Sequence, residues 1–153
     1  MVCLGNICRS PLAEGIMQHL INQEGLNWEV DSAGTAGYHI GAKPDYRSVA
    51  VAKKNGIDIS KQKARKLEKA DLENFDIIYV MDDSNYNNVL ALAKNKAEES
   101  KIRLLVSDGI VPDPYYDDSL FKPVFDMIHT QCAKLIKSLK KSPEIVDCNT
   151  RMK

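Results

Sequence analysis

The first fifteen residues of this 153-residue chain constrain its fold most strongly, because they combine a strand end, a tight loop and a helix start. Cys3 and Arg9 are separated by five residues, among them Gly5 and Asn6, which tolerate positive φ better than other residue types. Ser10 is a good helix N-cap, so we expect the first helix to begin there. Apolar residues then recur at the spacing of a buried helix face, at Leu12, Ile16, Met17, Leu20 and Ile21.

The loop between this strand and helix is suited to bind an oxyanion. Backbone N–H groups that point into such a loop form an anion nest, and the helix N-terminus adds partial positive charge. Arg9 offers a planar fork to two phosphate oxygens. The same dipoles stabilise a thiolate on Cys3 and place it for in-line attack on phosphorus. The expected phosphate-binding residues are Leu4, Gly5, Asn6, Ile7, Cys8 and Arg9.

Other nucleotide and metal motifs are absent from the sequence. No Gly-Lys-Ser/Thr follows the loop, and the spacing G-x-G-x-x-G does not occur, which argues against Walker and dinucleotide loops. The cysteines (Cys3, Cys8, Cys132, Cys148) lack zinc-finger spacing, and the histidines are scattered. We therefore expect no metal site and no cofactor.

The charge balance bears on partners and location. Lys plus Arg and Asp plus Glu both number 21, so the formal net charge is zero and we expect no binding to nucleic acid or membrane surfaces. No apolar run approaches the roughly 18 residues of a membrane span, and no signal peptide is evident. These features predict a cytoplasmic protein, which we expect to be a monomer.

Strand and helix patterns alternate along the chain. Further strands are predicted at Trp28–Ser32, Asp76–Met81 and Ile102–Val106. Helices are predicted at Ser10–Glu24, Asp45–Asn55, Ala70–Asn74, Ser84–Ala93 and Ser119–Lys140. A polar surface turn is expected over Asn95–Lys101. The alternation predicts an α/β fold, with a doubly wound four-stranded parallel sheet and helices on both faces, in one domain over 1–141 followed by a tail over 142–153.

Residues whose side chains can take part in catalysis or binding follow each predicted strand. The Cys3 loop follows the first strand, Ser32 and Tyr38 the second, Asp82 the third and Asp113 the fourth. Ligands of open parallel sheets bind beyond the carboxyl ends of the strands, so these residues are expected to meet there.

Asp113 is the candidate general acid. Cleavage of an aryl phosphate ester needs an acid to protonate the leaving oxygen, and the phosphate loop contains none. Asp113 stands between Pro112 and Pro114, which restrict its backbone and remove N–H donors, so its carboxyl group is suited to hold a proton. After donation, the same carboxylate would activate the water that hydrolyses phosphocysteine.

Two stretches resemble the low-molecular-weight protein tyrosine phosphatases. The run Val2–Pro11 with Ala13-Glu14 resembles their signature, and Asp113-Pro114-Tyr115-Tyr116 resembles their general-acid loop. The resemblance spans Val2 to about Lys140. It implies the strand order 2-1-3-4, hydrolysis of phosphotyrosine and aryl phosphates through a phosphocysteine on Cys3, catalytic roles for Arg9 and Asp113, and phosphotyrosine-containing proteins as partners. It also implies that inorganic phosphate or other oxyanions bind in the site.

The resemblance also assigns supporting roles. Ser10 would donate to the Cys3 thiolate, Asn6 would adopt positive φ and be held by Ser32, and Asp82 would brace the site. Cys8 would form a reversible disulfide with Cys3 that protects the thiolate from over-oxidation.

Aromatic residues are expected to line the substrate slot. The pocket residues that the resemblance implies are Leu4, Tyr38, Tyr115 and Tyr116. Two aromatic walls, Tyr38 and Tyr115, make a deep slot that a phenyl ring fills and a serine side chain does not. This favours phosphotyrosine over phosphoserine.

Two features depart from the family pattern. Many members carry a histidine before an Ala-Arg pair, and the segment Lys61–Arg65 has none, so the polar support of Asn6 is expected to differ. Only Met1 and Val2 precede Cys3, whereas a buried strand averages about five residues. If the central strand is truncated, stability should suffer.

Three alternatives remain at this point. An arsenate reductase of the same fold needs two further cysteines after the third strand, and none lies between Asp82 and Lys101. A protein arginine phosphatase tends to carry threonine at the position of Ile7. A catalytically silent phosphate-binding module would be expected to lack Cys3, Arg9 or Asp113.

Overall fold

The computed structural model describes residues 1–107 and 109–141, and the predicted tail with Cys148 lies outside them. Its sheet has four parallel strands in the order β2-β1-β3-β4, as predicted. The strands are β1 (Val2–Cys3), β2 (Ala33–Gly34), β3 (Ile78–Val80) and β4 (Ile102–Leu104). β1 is therefore a central strand, and the loop that follows it begins in the middle of the sheet edge.

Six α-helices surround the sheet in the described part of the chain. They are α1 (Arg9–Gln23), α2 (Tyr46–Lys54), α3 (Lys69–Asn74), α4 (Asp83–Leu90), α5 (Lys96–Glu99) and α6 (Phe121–Lys140), the last preceded by a 3₁₀ turn over Asp118–Leu120. None of the described helices is long and apolar enough to cross a membrane.

The strand side chains alternate between two cores. Tyr79 and Met81 belong to a cluster with the α1 and α6 residues Ile16 and Ile128. Val2, Ile78, Val80 and Ile102 belong to a second cluster that includes Leu72 of α3 and Val89 of α4. Because successive strand residues point to opposite faces, the helices cover both faces of the sheet, as the sequence predicted.

The second strand lies later in the chain than predicted. The β-rich segment Trp28–Ser32 is not a strand, and β2 is formed by Ala33 and Gly34. A Cβ atom on Gly34 would lie 2.8 Å from the Leu4 carbonyl oxygen. Only a residue without a side chain fits so close to the loop after β1, so tertiary packing overrides the strand propensity of the upstream residues.

Two local predictions are also wrong. α1 begins at Arg9 with Cys8 as its N-cap, and Ser10 is not the cap because its hydroxyl group bonds to other side chains. The segment expected to be a surface turn contains α5, whose N-terminus is capped when the Asn95 side chain accepts from the Glu98 N–H.

Candidate active site

Asn6 fixes the shape of the loop over residues 3–9, which we call the phosphate loop. It is the one described residue other than glycine with positive φ, 58°, and it is 2% exposed. Its Nδ2 donates to Ser10 Oγ at 2.7 Å and to Ser32 Oγ at 2.9 Å, while its Oδ1 accepts from the Arg65 N–H at 3.0 Å. The side chain thus holds together the phosphate loop, α1 and the segments that flank β2.

The direction of these bonds orients the Ser10 hydroxyl toward Cys3. Ser10 Oγ accepts from Asn6, so its single proton is available to Cys3 Sγ at 3.1 Å. In the same way Ser32 accepts from Asn6 and donates to Glu14 Oε1 at 2.7 Å. Burial raises the pKa of Glu14, and the Ser32 hydrogen bond partly opposes that rise.

Arg9 lies at the base of the phosphate loop with its guanidinium group fixed. Its side chain is 4% exposed, and Nη1 donates to Asp82 Oδ2 at 2.7 Å and to the Val111 carbonyl at 3.0 Å. Asp82 is itself held, because its other oxygen accepts from the Asn85 N–H at 2.8 Å. The charge-assisted pair therefore presents the guanidinium in one orientation.

Asp113 stands at the edge of this assembly. Its Oδ2 is 3.8 Å from Arg9 Nη2, its Oδ1 accepts from the Tyr115 N–H at 3.1 Å, and its side chain is 43% exposed. The carboxyl group therefore faces the same space as Arg9 and remains accessible to a ligand.

A cleft of about 220 Å³ lies among these groups. Its walls come from the phosphate loop, the loop after β2 and the loop before α6: Cys3, Leu4, Gly5, Ile7, Cys8, Arg9, Tyr38, His39, Asp113, Tyr115 and Tyr116. All four predicted pocket residues line the cleft. The predicted supporting residues Asn6, Ser10, Ser32 and Asp82 lie behind its surface.

His39 is a lining residue that the sequence analysis missed. Its ring lies edge-on to Tyr38, with centroids 6.5 Å apart, and a Cβ atom on Gly5 would lie 3.1 Å from its Cδ2 atom. The signal that could have identified it is its position next to Tyr38 in a loop expected at the carboxyl end of β2.

Comparison of the sequence with known proteins agrees with the geometry of this site. A family model described as low molecular weight phosphotyrosine protein phosphatase matches residues 1–144. This chain belongs to that family. The low molecular weight phosphotyrosine protein phosphatase of Homo sapiens is 41% identical over 146 residues, which cover 90% of this chain and 89% of that protein.

Solved structures of phosphatases share the fold. A protein tyrosine phosphatase from Entamoeba histolytica has a TM-score of 0.86 and 37% identity, over 92% of this chain and 94% of that one. An arginine phosphatase, YwlE, has a TM-score of 0.85 and 25% identity, over 94% of this chain and 96% of that one. The fold is thus common to phosphatases with two different named substrates.

The low-molecular-weight phosphatase site of this chain supports Asn6 without the histidine common in the family. The Arg65 N–H holds Asn6 Oδ1, and Gln62 Nε2 donates instead to the Pro11 carbonyl at 3.1 Å. A backbone N–H group, that of Arg65, therefore holds the Asn6 side chain in a segment that has no histidine.

Cys8 is a buried free thiol beside the nucleophile candidate. Burial, with the negative charge of Asp45 second, raises the pKa of Cys8 to about 12. At neutral pH Cys8 is therefore a protonated thiol. The two cysteines of the phosphate loop thus lie in contrasting surroundings, since Cys3 Sγ hydrogen-bonds with the Ser10 hydroxyl and Cys8 lies near the Asp45 carboxylate.

Proposed function

We propose that this protein is a phosphatase that hydrolyses phosphotyrosine in proteins through a phosphocysteine on Cys3. The observation that carries the proposal is the hydrogen-bonded chain from Asn6 Nδ2 through Ser10 Oγ to Cys3 Sγ, beside a cleft that Cys3, Arg9 and Asp113 line together. Membership of the phosphatase family supports it.

In the first step the phosphoryl group moves to sulfur. The Cys3 thiolate attacks phosphorus, the S–P bond forms, and the bond from phosphorus to the tyrosine oxygen breaks. Asp113 gives its proton to the leaving phenolate oxygen. The phosphate-loop N–H groups and the Arg9 fork hold the equatorial oxygens, where charge develops in the transition state.

In the second step water releases the phosphate. The Asp113 carboxylate accepts a proton from the attacking water, the new O–P bond forms, and the S–P bond breaks to return the thiolate. The Ser10 hydroxyl stabilises that thiolate as it leaves. The nucleophile, the acid–base group and the phosphate-binding groups of both steps all belong to the chain, and we propose that no cofactor takes part.

The cleft walls support phosphotyrosine as the substrate. Tyr38 and Tyr115 line the cleft from different loops, with Leu4 and Tyr116 among the other lining residues. A phenyl ring can fill such a slot and carry its phosphate to the loop, whereas a serine side chain is too short. Ile7, an apolar lining residue, supports tyrosine over arginine phosphate. We further propose that the catalytic domain spans 1–141 and acts as a cytoplasmic monomer.

The test compares three proteins on three substrates. Wild type, Cys3→Ser and Asp113→Asn are assayed with an aryl phosphate, a phosphotyrosine peptide and a phosphoarginine peptide. We expect wild type to prefer phosphotyrosine, Cys3→Ser to show no turnover, and Asp113→Asn to lose most activity on poor leaving groups. Preference for phosphoarginine would identify an arginine phosphatase. Phosphate binding without turnover would identify a silent binding module.

A further inference from the structure

Arg47 joins two loops of the site although it lies outside the cleft. Its Nε and Nη2 donate to the two oxygens of Asp45 at 2.9 and 2.8 Å, and its Nη1 donates to Asp118. Its guanidinium carbon also lies 4.5 Å from the ring centroid of Phe121 and 5.5 Å from that of Tyr115. One side chain therefore contacts the start of α2, the loop that carries Asp113 and the start of α6.

The Asp45 side of this junction is attached to the phosphate loop. The Asp45 N–H donates to the Ile7 carbonyl at 2.7 Å, and Ser48 Oγ donates to the Cys8 carbonyl at 3.3 Å. The start of α2 is thus bonded to the backbone of the loop that would bind phosphate.

The other side is attached to the general-acid candidate. Tyr115, under the guanidinium group of Arg47, donates its N–H to Asp113 Oδ1 at 3.1 Å. Asp118 begins the 3₁₀ turn that leads into α6. The chain between Tyr115 and Asp118 is exposed, and Tyr116 has 92% of its surface exposed. Arg47 is therefore a principal fixed contact of this exposed segment.

The junction is stronger than an ordinary surface ion pair. The Arg47 side chain is 18% exposed and the Asp45 side chain 9%, and the fork is bidentate. The Arg47 hydrogen bonds hold the pKa of Asp45 below its usual range. Asp45 therefore remains a carboxylate, and the contact persists across the neutral range.

We propose that Arg47 is a positioning residue that sets the distance between Asp113 and the phosphate loop. The inference rests on the proposed function, because it assumes that Asp113 protonates the leaving oxygen. Without Arg47 the loop carrying Asp113 loses its contact to Asp45 and α2. Asp113 then reaches the leaving oxygen less often, while the nucleophile and Arg9 keep their own contacts.

Loss of this contact should appear as a dependence of rate on the leaving group. A poor leaving group needs a proton as the P–O bond breaks, whereas an acidic phenol leaves without one. We expect Arg47→Met to lower the rate of phosphocysteine formation about tenfold for phenyl phosphate and a phosphotyrosine peptide. We expect less than about a twofold change for dinitrophenyl phosphate.

A double-mutant cycle isolates the route through Asp113. Wild type, Arg47→Met, Asp113→Asn and the double variant are compared on phenyl phosphate in single-turnover experiments. If Arg47 acts by placing Asp113, its loss should add almost nothing once Asp113 cannot donate a proton. The inference would be overturned if the rate losses of the two single variants multiplied in the double variant. It would also be overturned if Arg47→Met lowered the rate equally for every leaving group.

Further variants separate positioning from folding. Arg47→Lys keeps one ion pair but not the fork and should recover part of the loss. Asp118→Asn changes a side chain that is 81% exposed and should give a smaller effect with the same leaving-group dependence. Lys140→Met breaks the ion pair of α6 with Glu24 at 2.9 Å, far from the cleft, and should leave the dependence unchanged. An inactive wild type would instead overturn the proposed function.

Discussion

The phosphate loop and the segment over 110–118, which we call the acid loop, face the same cleft but are held in opposite ways. In the phosphate loop Asn6 and Arg9 are 2% and 3% exposed and bond to several elements. In the acid loop Val111 is buried and bonded to Met81 and Arg9, but Asp113 and the residues over 115–118 are exposed. Groups that stabilise transition-state charge must be preorganised, whereas an acid must admit substrate and release product.

The largest effect should follow a change at Arg9. Arg9→Lys keeps the positive charge but removes the fork that can bind both Asp82 and a phosphate oxygen. We expect kcat on a phosphotyrosine peptide to fall about 10²- to 10³-fold, the usual consequence of losing one preorganised donor. Steady-state kinetics measures the loss, and urea unfolding checks that the protein folds. A loss below threefold would show that the fork is not essential.

The next effect is on stability, and it distinguishes the two loops. Asn6→Ala removes the hydrogen bonds to Ser10, Ser32 and Arg65 and places alanine at a φ of 58°. We expect it to lower the free energy of unfolding by roughly 2–4 kcal/mol, since buried partners lose their bonds and alanine disfavours positive φ.

Two controls separate the causes of this loss. Asn6→Gly tolerates the backbone conformation and should be roughly 1 kcal/mol more stable than Asn6→Ala. Asp113→Asn, in the exposed acid loop, should stay within about 0.5 kcal/mol of wild type although it loses activity. Equal destabilisation by Asn6→Ala and Asp113→Asn in urea unfolding would contradict the contrast between the loops.

These contrasts also explain what the sequence could reveal. The loop from Cys3 to Arg9 and the placement of Asp82 and Asp113 were predictable, because each depends on local residue types and on where the strands end; the strand order came from the family resemblance. The support of Asn6 by the Arg65 N–H was not, since it joins segments 59 positions apart. The family pattern pointed to a histidine at this place.

Other features depend on packing that no local pattern encodes. β2 forms at Ala33–Gly34 because the backbone of Leu4 approaches closely, which strand propensity cannot show. Ser10 looked like an N-cap, but its hydroxyl is used by Cys3 and Asn6. Arg47 lay in an ordinary helix start, and its contact with Asp118 crosses 71 positions of the chain.

The close approach at Gly34 gives a prediction of intermediate size. In Gly34→Ala the new Cβ atom would lie 2.8 Å from the Leu4 carbonyl and 3.1 Å from the Asn6 nitrogen, so the phosphate loop must shift. We expect kcat to fall about tenfold with a smaller change in KM, because a small displacement of the nucleophile slows the chemical step.

Gly109→Ala is the matched control beside the acid loop. There the nearest atom to a new Cβ is Val106 Cγ1 at 3.5 Å, an ordinary contact distance. We expect kcat within about twofold of wild type, since no backbone must move. If the two alanine variants lost activity equally, the phosphate loop would be no more sensitive to displacement than its neighbour.

The smallest effect should be a pH dependence at Glu14, which lies behind the phosphate loop. Burial raises the pKa of Glu14 in the folded protein, so the folded state holds the proton to higher pH than the unfolded chain. Its contribution to stability is then fully present below the unfolded pKa of about 4.3 and is lost as the pH rises through the folded pKa.

Glu14→Gln removes this titration and keeps an oxygen for the Ser32 hydroxyl. The stability of Glu14→Gln relative to wild type should therefore increase from pH 4 to pH 7 in urea unfolding. A flat difference for Glu14→Gln would mean that folding leaves the pKa of Glu14 unchanged, and a decreasing difference would mean that the folded protein lowers it; either result would contradict the effect of burial.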